Sequence, residues 1–193
     1  MKHILVFLVF FPTVLQAQGV VISDFTLKST DGKSVSLSDY PEAKGFIVVF
    51  TCNHCPFAKL YPERLNALNT KYQVQGIPLL AISSMDTISY EEDTYLKMVR
   101  RAKKEAYNFP YLYDPEQEIA KLFGAEKTPQ AFVLWKQKEH FEVMYCGAID
   151  DNGMNPNLVE KPYVQWAVDA LLKQQEVSIT KTSAIGCQIY FRN

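Results

Sequence analysis

The sequence lacks an excess of charge of either sign. Its 193 residues include 20 Lys and Arg against 21 Asp and Glu, which gives a formal net charge of −1. Proteins that bind nucleic acid or anionic lipid through charge carry clustered positive side chains. The balance therefore argues against nucleic acid as a partner and favours a small molecule or another protein.

Internal repeats, low-complexity tracts and Gly/Ser-rich linkers are also missing from the sequence. Apolar residues make up 48% of the chain, which is enough for a core and excludes intrinsic disorder. We therefore predict one domain over residues 18–172. A C-terminal tail over residues 173–193 is expected to pack back onto it, because the tail carries the apolar residues Ile185, Ile189 and Phe191.

Hydrophobic runs long enough to span a membrane are missing. The most apolar stretch, Ile4 to Leu15, holds about a dozen residues, whereas a membrane span needs about 20. It follows Lys2 and precedes the small residue Ala17, an order typical of a secretory signal peptide. We predict a signal peptide over residues 1–17, export to the periplasm or the extracellular space, and no permanent membrane span.

Cysteine is scarce, with only Cys52, Cys55, Cys146 and Cys187 in the chain. The first two form a C-x-x-C pair, but the second pair of ligands that a structural zinc site needs is missing. We therefore predict neither a metal site nor a cofactor. Because disulfides persist in exported proteins, the four residues are interpreted as redox or structural thiols.

Two fully apolar runs, residues 45–51 and 77–82, predict strands buried inside a sheet. Between them, five apolar residues recur at helical spacing and predict an amphipathic helix that Pro62 kinks. These residues are Phe57, Tyr61, Leu65, Leu68 and Tyr72.

The second half of the chain adds helices and a hairpin. Ser89 and Glu92 predict a capping box that starts a long helix, with an inner face that reaches Phe109. A shorter helix is expected to start at Asp114 and to end at Gly124. The remaining predictions are an N-terminal hairpin turning at Asp31-Gly32, a hairpin of residues 131–135 and 141–145, and a closing helix from Tyr163. This order predicts an α/β fold, a three-layer sandwich with a mixed central sheet and helices on both faces.

The chemistry is expected where the first buried strand leads into Cys52-Asn53-His54-Cys55. A cysteine at the N-terminus of a helix is favoured as thiolate, and thiolate is the nucleophile in disulfide exchange. On this basis we expect Cys52 to be the ionised thiol, with His54 lowering its pKa further. Stabilising the thiolate stabilises the reduced pair, so the site is expected to oxidise its partners.

In chain order, these motifs resemble the thioredoxin-like superfamily and specifically its redoxin or AhpC/TSA (peroxiredoxin-like) branch. The resemblance covers about residues 20–190. It is carried by Asp31-Gly32-Lys33, Leu37-Ser38-Asp39-Tyr40, Cys52-Asn53-His54-Cys55-Pro56, Phe109-Pro110-Tyr111-Leu112-Tyr113-Asp114, Thr128-Pro129, Gly147-Ala148-Ile149-Asp150-Asp151-Asn152 and Gly186-Cys187.

The resemblance implies a thioredoxin-like fold and a role for each motif residue. Cys52 is the implied nucleophile, with His54 beside it, and Cys55 the resolving thiol. Thr128 and a cis Pro129 are the implied binding site for extended substrate backbone. The function that follows is an exported thiol-disulfide oxidoreductase acting on protein thiols and disulfides, with a redox donor or acceptor protein as its second partner.

Two other functions stay open. Peroxiredoxins carry their peroxide-reactive cysteine where Cys55 falls, so a thiol peroxidase is one alternative. Against it, Cys52 stands where that family has a threonine, and residues 46–51 lack its proline. The other alternative is a copper-binding or redox-sensing module that uses Cys52, Cys55 and His54.

The roles of the remaining cysteines are also open. Cys146 ends an apolar strand, where a lone cysteine is usually a small core residue. Cys187 lies in the tail. The two either form a structural disulfide, or Cys187 approaches the active pair as a third thiol.

Overall fold

A computed structural model describes residues 20–138 and 140–192. The predicted signal peptide, residues 1–17, lies outside the described residues. The elements, in chain order, are β1 Val21–Ile22, β2 Thr26–Ser29, β3 Ser34–Ser36, β4 Gly45–Phe50, α1 Pro62–Tyr72, β5 Leu79–Ser83, α2 Tyr95–Lys104, β6 Tyr111–Tyr113, α3 Glu118–Phe123, β7 Lys127–Thr128, β8 Gln130–Gln137, β9 His140–Gly147, α4 Tyr163–Leu172 and β10 Cys187–Gln188.

Eight of the strands form one mixed sheet in the order β1-β9-β8-β4-β5-β6-β2-β3. The neighbours β4, β5 and β6 run parallel, whereas β8 pairs antiparallel with β4 on its other side. All six residues of β4 are buried, as the apolar run predicts. The mixed sheet and its N-terminal β2–β3 hairpin confirm the predicted topology.

Two cores fill the space on either side of the sheet because successive side chains of a strand point to opposite faces. From β4, Phe46, Val48 and Phe50 enter one core, together with residues of α3. The intervening Ile47 and Val49 enter the other, with residues of α1, α2 and α4. Helices therefore cover both faces, which confirms the three-layer sandwich.

Three helices differ from those expected in where they begin or end. Pro62 begins α1 instead of kinking it, because proline is tolerated in the first turn, where its missing N–H has no helical partner. The long helix α2 begins only at Tyr95 and ends at Lys104, so Phe109 lies beyond it. The predicted capping box is wrong, since the Ser89 hydroxyl donates to Asp86.

The third difference concerns the shorter helix, which begins at Glu118 and not at Asp114. The Asp114 carboxylate instead accepts the backbone N–H of Ala120 inside α3. The predicted end of α3 at Gly124 is confirmed, with Gly124 in the left-handed conformation. No helix among the residues described here is both long and apolar enough to cross a membrane.

Candidate active site

The loop that follows β4 carries both cysteines of the C-x-x-C pair. The backbone N–H of Thr51 donates to Ile82 at 2.8 Å, which continues the β4–β5 ladder up to the loop. Cys52 is 2% exposed and Cys55 is 0% exposed. Because α1 begins only at Pro62, the expectation that a helix N-terminus holds Cys52 as thiolate is wrong.

Thr128 contacts both sulfur atoms. Cys52 Sγ lies 3.1 Å from the hydroxyl of Thr128, and Cys55 Sγ lies 3.2 Å from its backbone carbonyl. The Thr128–Pro129 peptide bond is cis, as the family resemblance implies. Four of the five predicted site residues therefore meet in one place, at the carboxyl end of β4.

Cys55 is the thiol that the site ionises. Its pKa is lowered from 9.0 to about 4, first by the hydrogen bond from the Cys52 thiol and then by donors that include Cys187 and the backbone N–H of Ala58. The Cys187 N–H is 3.3 Å from Cys55 Sγ. Burial opposes the ionisation of Cys55. Ionisation also removes the hydrogen bond that the protonated Cys55 thiol donates to the Thr128 carbonyl. The effect of the donors on the pKa is larger than these two opposing effects, so the pKa of Cys55 falls.

Cys52 has the opposite environment. Burial raises the pKa of the Cys52 thiol, and the hydrogen bond that it makes to Cys55 raises it further. The pair thus holds one thiolate, on Cys55, and one proton, on Cys52. This reverses the expected order of ionisation, because the Cys52 thiol donates to Cys55 and further donors, among them Cys187, also point at Cys55.

His54, the fifth predicted site residue, is fixed by contacts on two sides. Its Nδ1 lies 2.5 Å from a carboxylate oxygen of Asp93. Its ring stacks on Tyr90, with 3.9 Å between ring centroids and 8° between ring planes. Ordered in this way, the imidazole lies beside the cysteine pair in one orientation.

Asp93 is the site residue that sequence reasoning missed. It is 0% exposed, and its second carboxylate oxygen accepts the backbone N–H of Asn53 at 2.5 Å. Burial raises the pKa of the Asp93 carboxyl, while the bonds from Asn53 and His54 act to lower it. Its only signal in the sequence is an acidic run with Glu91 and Glu92, which a helix start explains equally well. The fold brings it across 40 positions to the middle of the C-x-x-C.

Potential metal ligands from Cys52, His54 and Asp93 lie within 4.8 Å of one another. This set differs from the copper ligands expected from sequence, because Asp93 takes the place of Cys55. His54 and Asp93 already bond to each other, and Cys52 bonds to Thr128. The ligand atoms are therefore engaged by protein partners.

The two remaining cysteines have separate surroundings, and all four are free thiols. Cys146 exchanges backbone hydrogen bonds with Thr180 and Thr182, each at 3.0 Å. Cys187 lies in β10, which pairs antiparallel with β7 so that Cys187 faces Thr128. Its thiol interacts with Cys55. The fold therefore brings Cys187, and not Cys146, to the active pair.

Pro129 also lines a cavity of about 540 Å³. Its apolar walls include Phe57, Ile149 and Ile185, and Asp150 and Asp151 lie at its edge.

A parallel β4–β5–β6 core, an antiparallel β8–β9 hairpin and a C-x-x-C facing a cis-proline define a thioredoxin-like fold. The chain matches the model of the AhpC/TSA family over residues 19–144, and it belongs to that family.

Similar proteins include redox enzymes. Peroxiredoxin bcp1 of Schizosaccharomyces pombe is 33% identical over 114 residues, which are 56% of this chain and 52% of that protein. The thiol-disulfide oxidoreductase ResA of Geobacillus thermodenitrificans is 25% identical over 120 residues, 62% of this chain and 64% of that protein. The matches thus span between half and two thirds of these curated relatives.

Among solved structures, a hypothetical protein from Sinorhizobium meliloti 1021 has a TM-score of 0.82 and 32% identity, covering 91% of this chain and 95% of that one. Together, the family match and the fold identify this chain as a thioredoxin-like member of the AhpC/TSA family.

Proposed function

We propose that the protein is a thiol-disulfide oxidoreductase that cycles Cys52 and Cys55 between dithiol and disulfide. The observation that carries this proposal is the shared contact of both sulfur atoms with Thr128. Two thiols held together in this way store two electrons, so the cycle needs no cofactor. One of them is ionised at neutral pH, which disulfide exchange requires.

The low pKa of Cys55 favours oxidation of the partner. In the oxidised protein, a substrate thiolate attacks Cys52 Sγ, the Cys52–Cys55 bond breaks, and Cys55 leaves as a thiolate. A second substrate thiol then loses its proton and attacks the substrate sulfur of the mixed disulfide. The substrate leaves as a disulfide, and Cys52 takes up a proton. A leaving thiol with a low pKa departs faster and stabilises the reduced pair.

Access to this site requires a conformational change. Both sulfur atoms are buried, and residues of the C-terminal segment cover Cys55. We propose that this segment leaves Thr128 and Pro129 when a partner protein binds, and that the partner's extended backbone takes its place. The partners are then a protein substrate with thiols or a disulfide and a second redox protein that restores the pair.

The test is a measurement of the reduction potential of the Cys52/Cys55 couple, with insulin reduction by dithiothreitol as the activity assay. Reductants of this fold have potentials near about −270 mV and strong oxidants near about −120 mV, and we expect a value on the oxidising side of this range. Cys52→Ser and Cys55→Ser should abolish turnover, with Cys146→Ser as the matched control. Full activity in either of the first two variants would contradict the proposal.

We also propose that residues 1–17 direct export and are then removed. The support is the sequence pattern of a charged start, an apolar run and a small residue at position 17. Fractionation of expressing cells, with mass spectrometry of the product, tests it. An uncleaved chain that stays in the cytosol would rule it out.

A second candidate function is a thiol peroxidase. The observation in its favour is the ionised Cys55, which occupies the position of the reactive cysteine in the family. Its thiolate attacks a peroxide oxygen, the O–O bond breaks, and the leaving oxygen takes up a proton from solvent and departs as water or an alcohol. The resulting sulfenic acid condenses with the Cys52 thiol, releasing water and forming the disulfide. Peroxide should convert Cys55 of the Cys52→Ser variant to a sulfenic acid that dimedone traps; an unmodified Cys55 would exclude this activity.

A further inference from the structure

The C-terminal strand β10 occupies the edge beside the active pair. It pairs antiparallel with β7, and the register places Cys187 opposite Thr128. In this position the Cys187 N–H reaches Cys55 Sγ at 3.3 Å, and the Cys187 thiol also interacts with Cys55. A cysteine presented on a strand at this place has the position of a substrate cysteine.

The residues around β10 hold it in this register. Ile189 is 2% exposed, and its N–H donates to Glu126 at 2.8 Å. The Gln117 side chain donates to the Tyr190 carbonyl at 3.0 Å and accepts the Arg192 N–H at 2.8 Å. These contacts bind backbone and side chains of the segment at several points, so Cys187 has a defined position.

Gly186 shows how closely this segment approaches the site. A Cβ atom at Gly186 would lie 2.0 Å from the carbonyl oxygen of Thr128. Only a residue without a side chain fits there. The absence of a Cβ thus allows the backbone to bring Cys187 against Cys55.

We propose that Cys187 is a third redox thiol, which exchanges with the Cys52–Cys55 disulfide to form a Cys55–Cys187 disulfide. This inference rests on the proposed function, which supplies the first disulfide. Cys187 loses its proton and its sulfur bonds to Cys55 Sγ. The Cys52–Cys55 bond breaks, its electron pair stays on Cys52, and Cys52 takes up the proton. One disulfide is replaced by another, so no external oxidant is consumed.

The electrostatics of the site favour this order of events. In the reduced protein the pKa of Cys187 is raised from 9.0 to about 11, first by burial and then by the bond to Cys55 and by the charges of Cys55 and Asp93. A Cys55 that is part of a disulfide carries no charge, so its electrostatic contribution disappears. Burial also raises the pKa of Cys52, which suits it to hold the transferred proton. Cys187 is therefore a protonated, unreactive thiol in the reduced protein, and it becomes a better nucleophile after Cys52 and Cys55 are oxidised.

Disulfide mapping of the full chain tests the proposal. The protein is reduced, oxidised with diamide, alkylated and digested with trypsin, and the peptides are identified by mass spectrometry. Cys52 and Cys55 lie in the peptide 45–59, and Cys187 lies in the peptide 182–192. We expect linked 45–59 and 182–192 peptides in the wild type and in the control Cys146→Ser. In Cys52→Ser, more than half of the molecules should carry this link.

The outcomes separate this inference from the proposed function. One outcome contradicts the inference: in Cys52→Ser, Cys55 and Cys187 are both alkylated and no linked peptide forms, while Cys187→Ser still forms the Cys52–Cys55 disulfide. Cys187 is then not a redox thiol. If Cys187→Ser fails to form that disulfide although its circular dichroism matches the wild type, the proposed function itself is wrong. Cys187→Ala is the second variant that guards against misfolding of the serine replacement.

Discussion

The C-x-x-C loop is held from two sides by unlike structures. The short turn at Glu91–Asp93 binds Asn53 and His54 through a buried carboxylate. The C-terminal segment binds Cys55 through a backbone N–H and a thiol. The first contact is made of short, charge-assisted hydrogen bonds, and the second of weaker bonds to sulfur.

Because of this difference, one structure positions the C-x-x-C loop and the other covers its thiols. A buried carboxylate with two donors resists displacement, because breaking its bonds leaves polar groups unpaired. Displacement of the tail segment breaks weaker bonds to sulfur and uncovers one buried charge, the Cys55 thiolate. The turn therefore fixes the geometry of the loop, whereas the tail segment is the part that leaves under the proposed function.

The largest expected effect concerns the ionisation of Cys55. Ultraviolet absorbance of the thiolate, followed against pH, should show a transition near pH 4, because the pKa of Cys55 is lowered from 9.0 to about 4. The acid dissociation constant changes by about 10⁵-fold. Cys55→Ser should remove this transition, and Cys146→Ser should retain it. A transition near pH 9 in the wild type would show that the donors do not ionise Cys55.

The same shift determines how stability depends on pH. When a group has a lower pKa in the folded protein than in the unfolded chain, its ionisation stabilises the fold. This stabilisation is complete above the unfolded-state pKa and is lost as pH falls towards the folded-state pKa. Relative to Cys55→Ser, the free energy of unfolding of the wild type should therefore rise between about pH 4 and pH 9. Urea unfolding of the reduced proteins at several pH values measures it.

The next largest effect is the loss of turnover. Insulin reduction should fall by at least about 10³-fold in Cys52→Ser and in Cys55→Ser, because each sulfur forms a covalent bond in the cycle. Cys146→Ser should keep the wild-type rate, since its backbone pairs with the tail away from the site. Equal losses in all three variants would point to misfolding and not to chemistry.

Removing the carboxylate of the turn should destabilise the protein. Asp93→Ala leaves the Asn53 N–H without its acceptor, at a cost of about 1–3 kcal/mol in the free energy of unfolding. Burial raises the pKa of the Asp93 carboxyl in the folded protein. The wild type therefore loses stability as pH rises from the pKa of Asp93 in the unfolded chain to its pKa in the folded protein. The cost of Asp93→Ala should therefore shrink with rising pH.

The matched control for this change is Glu92→Ala, which removes a neighbouring exposed carboxylate. Urea unfolding of both variants at acid and neutral pH provides the comparison. If the two substitutions cost the same, Asp93 does not hold the loop.

The smallest effect is expected from loosening the tail segment. Gly186→Ala places a methyl group against the Thr128 carbonyl and should weaken the closed position by about 1.4 kcal/mol, or about tenfold in population. Alkylation of Cys55 should accelerate by the same factor, with the exposed Ser183→Ala as control. An unchanged rate in Gly186→Ala would show that the segment does not limit access.

Local patterns in the sequence predict much of the fold. The apolar runs of β4, β8 and β9 each lie within one short stretch of sequence, and the structure forms these strands where they are expected. The beginning of α1 was not predicted correctly, because a proline at a helix start and a proline inside a helix occupy the same apolar pattern. Patterns identify elements better than they identify boundaries.

The surroundings of the thiols depend on contacts between residues that lie far apart in the sequence. Asp93 reaches Asn53 across 40 positions, and Cys187 reaches Cys55 across 132 positions. The pair of cysteines and the cis-proline are recognisable as motifs, but the location of the negative charge depends on which sulfur donates to the other and on Cys187, a donor from a distant segment. This is why the sequence identified the thiols and assigned the thiolate to the wrong one.

The close approach at Gly186 also bears on partner choice. A peptide that replaces β10 in the same register meets the same Thr128 carbonyl with the residue before its cysteine. Any side chain larger than hydrogen clashes there unless the peptide shifts. In the register of β10, glycine is therefore the residue that fits before the cysteine without a shift of the backbone.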